Sequence, residues 1–324
     1  MATRQTWIAT YGNAEFNNGT LTHIPTRPKA GPEPGKGPGT MYPPHTIARS
    51  NLEFEQGTVA FELWIAEPKG ICMLLLPADP GANQQSASAG EAAQQVSSEC
   101  DLGIGVNVMG TPYGSALSRN WSWEPAGGVG QGSSVPTQRW IGIVVRVNGS
   151  SIDVYVDEVR IMSLSRVLRR GQIGVFMQGD GAVKVRNVTT AAHKPLCFVI
   201  MQFAPEFDVL YQDVIRPVCE SYRYEVVRGD DFYSSGQIMD DVTRSIRNAG
   251  LVIADVTPDN ANVFYELGYA HAIGKPTILL SDRKRDRLPF DISGFRTLFY
   301  DNTIGGKSLV EARLKEHLDA LRAR

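Results

Sequence analysis

Cysteine, histidine and net charge are all scarce in this chain of 324 residues. Its four cysteines are widely spaced and form no C-x-x-C pair, so the sequence predicts free, mostly buried thiols and neither a zinc site nor a disulfide framework. Its five histidines are scattered, and neither H-E-x-x-H nor G-x-S-x-G occurs. A formal net charge of -2 gives no basic bias toward nucleic acid or an anionic membrane.

Long apolar runs are missing as well. No uninterrupted run approaches the length of a membrane helix, and the segment Met1 to Trp7 lacks the apolar core of a secretory signal peptide. We therefore expect a cytoplasmic protein. The length suits two ordinary domains, each able to bury its own core. We place their boundary near His193, between a domain of residues 1–192 and a domain of residues 196–324.

Before that boundary the sequence is typical of an all-β domain. Short β-branched and aromatic runs, separated by Gly and Asn, cover residues 58–65, 71–76, 141–147, 152–156, 173–177 and 183–188. Asn148-Gly149 and Asp180-Gly181 each lie between two such runs, and each predicts an antiparallel hairpin. Other segments, rich in Gly, Pro, Ala or Ser, predict long surface loops. They are residues 27–44, 79–98 and 110–136.

One hairpin carries a recognisable pattern. Residues 140–157 read W-x-G-I-x-V-x-V-x-G-S-x-I-x-V-Y-V-D, which resembles the concanavalin-like jelly-roll sandwiches of the laminin-G and glucanase type. The resemblance implies a sandwich that binds a carbohydrate or a protein, since no pair of catalytic carboxylates stands out in this half. Trp121 and Trp123 lie in one of the predicted loops, where aromatic faces would stack on a sugar or base; packing within the domain is the alternative.

After the boundary, short apolar runs alternate with helical spacing. Strands are predicted at residues 197–201, 224–227, 251–254, 277–280 and 297–300. Helices are predicted at residues 207–221, 236–249 and 307–322, with another that begins at an Asn262 N-cap and runs through Ile273. This alternation predicts a parallel sheet covered by helices, with right-handed crossovers. Five strands in a flavodoxin-like order fit the pattern.

The most informative segment is Ile253 to Ala270, IADVTPDNANVFYELGYA. It places acids and amides at the end of a buried strand, just before a helix, where open α/β sheets hold ligands. Glu266 lies in the early turns of that helix, so its carboxylate is aimed at the crevice. Asp255 and Asp259 would hydrogen-bond sugar hydroxyls or, if protonated, a leaving base.

The stretch Asn262 to Ala270 contains the N-V-x-x-E-L-G-x-A core of the nucleoside 2-deoxyribosyltransferase-like and TIR-like superfamily of bacterial proteins. The chain resembles this family over residues 197–300. The resemblance implies a TIR-like α/β domain with Glu266 as the catalytic carboxylate. It also implies a substrate-binding acid shortly before the Glu, a place for which Asp259 and Asn260 are rivals; we favour Asp259 for its charge. The alternative for Glu266 is a solvated acid that interacts with the helix dipole.

Further residues near the strand ends are candidate substrate contacts. They are Met201, Gln202, Phe203, Arg228, Asp230, Asn260, Asn262 and Tyr269. The loop containing Gln202 precedes a helix whose free N–H groups would receive a phosphate or ribose oxygen, although the family commonly has Pro at this position. Arg228 is a candidate phosphate partner, with a surface pair to Asp230 as the alternative. Packing is the alternative for Tyr269.

Three functional hypotheses follow. In the first, the second domain is an N-glycosidase that cleaves the N-ribosyl bond of a nucleotide, with NAD+ preferred because nicotinamide departs neutral without an acid. A nucleoside or nucleoside monophosphate would need Asp255 or Asp259 as the acid, and a nucleoside 2-deoxyribosyltransferase would pass the sugar to a second base. The second hypothesis is a nucleotide-binding signalling module without turnover. In the third, the sandwich binds a carbohydrate or protein and the α/β domain is a scaffold.

The pairing of a sensor-like sandwich with a TIR-like domain resembles bacterial antiphage and stress proteins, in which assembly switches on nucleotide destruction. The resemblance implies a homo-oligomer whose activity is gated by the N-terminal domain. We expect no metal and no cofactor, because NAD+ would enter as a substrate.

Overall fold

The computed structural model describes residues 5–25, 44–78, 100–119, 122–231, 238–285 and 287–322. The chain separates into two compact units. One contains Met1–Val147 and Ile152–Ala192, and the other contains Asn148–Ser151 and His193–Arg324. The first is all-β and the second is α/β, so the chain has a two-domain layout.

The first domain is a jelly-roll-like sandwich of two antiparallel sheets. In spatial order, one sheet contains β1 (Trp7–Tyr11), β4 (His45–Phe54), β13 (Gly171–Gln178), β6 (Ile71–Pro77), β7 (Asp101–Val108), β8 (Thr111–Arg119) and β9 (Ser122–Val129). The other contains β12 (Val159–Ser165), β11 (Ser151–Val156), β10 (Trp140–Asn148), β5 (Gly57–Ile65), β14 (Val183–Ala191), β3 (Thr20–His23) and β2 (Ala14–Asn17).

Strand β5 illustrates why these runs form a sandwich. Its side chains alternate between buried and half-buried along the whole strand, which is the period of a sheet with one face on a core. Val59, Phe61 and Leu63 belong to the core cluster, together with Leu74 of β6 and Ile143 of β10. Because β6 belongs to the other sheet, this cluster fills the space between the two sheets.

One predicted hairpin is confirmed and the other is wrong. Strands β10 and β11 are neighbours, and Gly149 between them has φ +59°, the conformation that the first central position of a type II′ turn requires. Asp180 and Gly181, in contrast, connect β13 in one sheet to β14 in the other. Neither residue has the positive φ of a two-residue hairpin turn. The segment is therefore a connection between the two sheets and not a hairpin.

The prediction of a loop over residues 110–136 was also wrong, because most of that segment forms the hairpin β8–β9. In this hairpin Gly114 of β8 pairs with Gly128 of β9, and the absence of side chains at both positions leaves space for Thr111. A Cβ atom at Gly114 or Gly128 would lie 2.4 or 2.6 Å from the Thr111 hydroxyl oxygen. Close packing thus overrides the low strand propensity of glycine. The other two predicted loops lie, apart from Pro44, outside the described residues.

The second domain has a parallel sheet of five described strands. Its spatial order is β16 (Glu225–Arg228), β15 (Leu196–Ile200), β17 (Ala249–Asp255), β18 (Thr277–Asp282) and β19 (Thr297–Tyr300). This is the flavodoxin-like order that the alternating pattern predicts. The helices are α1 (Pro205–Leu210), α2 (Arg216–Ser221), α3 (Ile238–Asn248), α4 (Ala261–Ala272) and α5 (Ile304–Arg322). None of the described helices combines the length and apolar character that crossing a membrane requires.

Both faces of this sheet are covered, which explains its continuous apolar strands. Cys197 and Val199 of β15 pack in one cluster with α5, and Phe198 and Ile200 pack in the other with α3 and α4. The helical run that contains α1 and α2 is widened by a π-helical turn, Tyr211–Ile215. Pro217 follows this turn and has no N–H to donate to the preceding turn, which accounts for the irregularity.

The four cysteines are free and buried, as the sequence predicts. Cys197 and Cys219 lie close together, with 4.0 Å between their sulfur atoms. Burial raises the pKa of the Cys72 thiol to about 12, so this thiol stays protonated and packs as an apolar group.

Gly105 provides a test of the sandwich. A Cβ atom there would lie 1.9 Å from the carbonyl oxygen of Cys72 in the neighbouring strand, and a backbone atom of a sheet cannot move aside. We expect Gly105→Ala to lower the free energy of unfolding by roughly 1–3 kcal/mol. Gly127→Ala is the control, because its nearest contact would be an ordinary 3.4 Å. Thermal unfolding measures both, and equal stabilities would contradict the packing described.

Candidate functional site

The carboxyl edge of the parallel sheet contains the candidate site. Strands β16 and β17 lie on opposite sides of β15, so the chain reverses its winding direction at β15. Loops that follow strands at such a reversal diverge and leave a crevice between them. The loops concerned are residues 201–204 after β15 and residues 256–260 after β17.

Asn260 fixes the start of the helix that contains Glu266. Its side-chain oxygen accepts hydrogen bonds from the backbone N–H groups of Asn262 and Val263, at 3.0 and 3.4 Å. The predicted N-cap, Asn262, was therefore wrong by two positions. Asn260 has the extended backbone of an N-cap, with φ -122°, whereas Asn262 already lies inside helix α4.

Glu266 lies on the border of the buried face of α4, between Val263 and Ala270, which are three and four residues away. Burial raises the pKa of its carboxyl group from 4.5 to about 7. Within the described part of the chain, no group donates a hydrogen bond to this carboxyl. A fully solvated helix-start acid would keep its ordinary pKa, so the environment of Glu266 differs from that alternative.

Asp255 ends β17 with its side chain enclosed, only 1% exposed. The Tyr300 hydroxyl donates to one carboxylate oxygen at 2.6 Å, and the N–H and hydroxyl of Thr257 donate to the other at 2.8 and 2.5 Å. Burial raises the pKa of Asp255, and the hydrogen bonds from Thr257 and Tyr300 oppose that rise. This carboxyl joins β17 and β19 to the loop after β17 and is enclosed by protein groups.

Asp259 is exposed, but its carboxylate is paired with Arg285 at 2.5 Å. The Arg285 side chain is only 8% exposed, and it donates to the carbonyl oxygens of Val256 and Thr257 at 2.5 and 2.8 Å. Arg285 thus fixes the loop that leads into α4. The sequence reasoning missed this residue, although the basic run directly after β18 was a signal that would have found it.

The remaining candidates divide between the crevice and the core. The Asn260 amide donates to the Gln202 side-chain oxygen at 3.2 Å, so the loops after β15 and β17 are linked at the switch point. Phe203 is 56% exposed beside Gln202, whereas Met201 is buried in the core. Tyr269 packs partly against the core. Asn262 is exposed. No group of three or more metal-ligating side chains occurs among the described residues.

Arg228 is held by two carboxylates. Its guanidinium donates to Asp230 at 2.6 and 2.5 Å and to Asp208 at 2.7 Å. It also lies over the Tyr211 ring, 4.5 Å from the ring centre, and its side chain is 7% exposed. These contacts neutralise and enclose the charge. Arg228 and Asp230 therefore pair with each other as in the surface-pair alternative, but the Arg228 side chain is enclosed and does not lie at the surface.

Comparison with known proteins gives a fold likeness only. No protein-family model and no curated protein matches the sequence. Among solved structures, the carbohydrate-binding module CBM66 from Bacillus subtilis aligns at 11% identity and a TM-score of 0.40, over 57% of this chain and 95% of that one. A Bacillus licheniformis beta-glucanase aligns at 12% identity and a TM-score of 0.34, over 56% and 89% of the two chains. Likeness at this level assigns no function.

The pKa of Glu266 makes stability a test of its surroundings. A carboxyl whose pKa is raised on folding stabilises the protein below its ordinary pKa of 4.5, and this contribution is lost as the pH rises through about 7. The side chain of Glu266→Gln stays uncharged, so this variant does not lose that contribution. Between pH 4.5 and about 7, its free energy of unfolding should rise relative to that of the wild type by about 1 kcal/mol, after discounting for partial exposure. Thermal unfolding against pH measures the difference. A constant difference would contradict a desolvated carboxyl.

Proposed function

We propose that the second domain cleaves the N-ribosyl bond of a nucleotide, with Glu266 as the catalytic carboxylate and NAD+ as the preferred substrate. The observation that carries this proposal is the position of Glu266, a partly buried carboxyl without a hydrogen-bond donor among the described residues, in the helix that follows the loop after β17. This burial raises its pKa to about 7. Perturbed carboxyl groups in clefts are frequent at catalytic sites. The resemblance of the segment Asn262 to Ala270 to the nucleoside 2-deoxyribosyltransferase-like and TIR-like superfamily supports the same residue.

The proposed reaction breaks the bond between the anomeric carbon and the nicotinamide nitrogen. The bonding electron pair moves to that nitrogen, which neutralises the pyridinium ring, and positive charge develops on the ribose. An ionised Glu266 stabilises this charge or adds covalently to the anomeric carbon. Water then adds to the same carbon and loses a proton, so the products are nicotinamide and ADP-ribose.

The placement of the other acids supports NAD+ over a nucleoside or nucleoside monophosphate. A departing nucleobase needs a proton, but Asp255 is enclosed and Asp259 is paired with Arg285. Nicotinamide needs no proton, so one carboxylate suffices. On this basis Asp255 and Asp259 position the loop that precedes α4. The transferase alternative shares the Glu266 step and differs in the acceptor, which is a second base in place of water.

Turnover of NAD+ tests the proposal. We expect the full chain to release nicotinamide, with kcat/KM rising as the pH passes about 7, because Glu266 must be ionised to act. Glu266→Gln should lower the rate by about a hundredfold or more. Glu316→Gln is the matched control, since Glu316 is an exposed acid of α5. Nucleosides and nucleoside monophosphates should be poorer substrates.

A concentration series belongs in the same assay, because we propose that assembly or a ligand of the first domain activates the second. Nicotinamide release by Glu266→Gln at the wild-type rate would contradict the catalytic assignment. Nucleotide binding without turnover at every protein concentration would favour the signalling-module hypothesis.

The sandwich supports a second candidate function, the binding of a carbohydrate. Trp64 and Trp140 stand directly opposite each other in β5 and β10, and both are half-buried. A shallow cavity of about 380 Å³ is lined by Trp140, Glu62 and Asp157, among others. Arg186 lies over one face of the Trp140 ring, 3.9 Å from its centre, and is paired with Glu62, while Asp157 is paired with Arg139. The candidate therefore rests on the other ring face and on the polar groups of these ion pairs, which are suited to the C–H and hydroxyl groups of a sugar. Trp123 is less suited, because it packs against Phe176, 5.8 Å away between ring centres, whereas Trp121 lies outside the described residues.

Binding to immobilised neutral and acidic oligosaccharides tests this candidate. Trp140→Ala should weaken binding by about tenfold or more, because it removes the ring face of the cavity. Ile8→Ala, at an exposed position of β1 in the other sheet, is the control and should leave binding unchanged. Equal binding by both variants would contradict a role for this cavity.

A further inference from the structure

We propose that Lys284 and Arg287, in the loop after β18, bind a phosphate group of the substrate. The inference rests on the proposed function of Glu266 and narrows the substrate class to phosphorylated nucleotides, with free nucleosides disfavoured. Four basic residues lie within five positions here, Arg283, Lys284, Arg285 and Arg287. The loop lies at the carboxyl edge of the sheet, the same edge as the crevice.

The loop is anchored to the candidate site. Arg285 donates to the carbonyl oxygens of Val256 and Thr257 in the neighbouring loop and, through its Nε, to the carbonyl oxygen of Arg287 at 2.9 Å. On the other side of Arg285, the backbone N–H of Lys284 donates to Asp282 at 2.9 Å. The backbones of Lys284 and Arg287 are therefore held, while their side chains are exposed.

Lys284 and Arg287 also differ from the other cations of this edge in their charge balance. Arg285 is paired with Asp259, and Arg283 lies 3.5 Å from Asp301. Arg228 is enclosed by its two acids. Among the residues that the structure describes, neither Lys284 nor Arg287 has a carboxylate partner. Among the described residues, no carboxylate balances the charges of Lys284 and Arg287, whereas two carboxylates balance the charge of Arg228.

The loop after β18 lies beside the loop that leads into α4. Strand β18 is next to β17, and neighbouring strands are about 4.8 Å apart. A ribose with its anomeric carbon at Glu266 carries its 5′ substituent at the opposite end of the sugar, and the proposal directs that end toward the loop after β18. Arg binds phosphate oxygens in a fork and Lys binds as a point charge, and both are long enough to adjust.

Three probes that share one leaving group test the inference, namely nicotinamide riboside, nicotinamide mononucleotide and NAD+. We expect the wild type to prefer the two phosphorylated probes. In the double variant Lys284→Ala/Arg287→Ala, KM for both should rise by about tenfold or more, with kcat and the riboside little changed. The double variant Arg223→Ala/Lys315→Ala is the control, since it also removes two exposed cations, both outside this loop. Equal losses for riboside and mononucleotide would overturn the inference.

Equilibrium binding to the Glu266→Gln protein separates the two proposals, because it needs no turnover. Suppose that binding depends on the phosphate and is lost when Lys284→Ala/Arg287→Ala is added, and that the wild type cleaves none of the probes. This result would support the phosphate-binding loop and contradict the glycosidase proposal. Cleavage without a phosphate preference would support the glycosidase and contradict the loop. Absence of both binding and cleavage would contradict both proposals.

Discussion

A buried carboxyl group must be supplied with hydrogen-bond donors, and this constraint organises the carboxyl edge of the second domain's sheet. Asp255 is enclosed at the end of β17, and its donors are Thr257 and Tyr300. Because Tyr300 ends β19, two strands away, satisfying one carboxyl fixes the ends of several strands relative to one another. The loop after β17 therefore leaves the sheet along one defined path, and α4 begins from a fixed point.

The environment of the Glu266 carboxyl differs from that of Asp255. Asp255 receives three hydrogen bonds, whereas Glu266, one helix turn and a half beyond the cap of α4, is desolvated without a donor among the described residues. Its raised pKa reflects an ionised state that burial makes unfavourable. Under the proposed function, positive charge developing on the substrate would offset that cost. Arg285 completes this arrangement, because its contacts with Val256 and Thr257 hold the loop before the helix. The domain thus holds the Asp255 carboxyl in place with three hydrogen bonds and leaves the Glu266 carboxyl without a donor among the described residues.

Local pattern was enough to predict the alternating strands and helices, the sheet order and the position of Glu266 in α4. Long-range contacts were beyond its reach. The partner of Asp255 is Tyr300, 45 residues away, and that of Asp259 is Arg285, 26 residues away. Contacts at sequence separations of 45 and 26 residues leave no trace in the short-range spacing of apolar residues from which helices and strands are predicted. Strands β8 and β9 were missed for a similar reason, because the nearby Thr111 side chain leaves room only for glycine at position 128. The dipeptide Asp180-Gly181 shows in turn that a turn sequence does not determine which sheet the next strand joins.

The most direct measurement is a structure of the Glu266→Gln protein with NAD+ bound. We predict that the anomeric carbon of the nicotinamide ribose lies in contact with the side chain at position 266, in the crevice between the loops after β15 and β17. NAD+ bound at another surface, or a ribose turned away from this side chain, would contradict the assignment of Glu266 as the catalytic carboxylate.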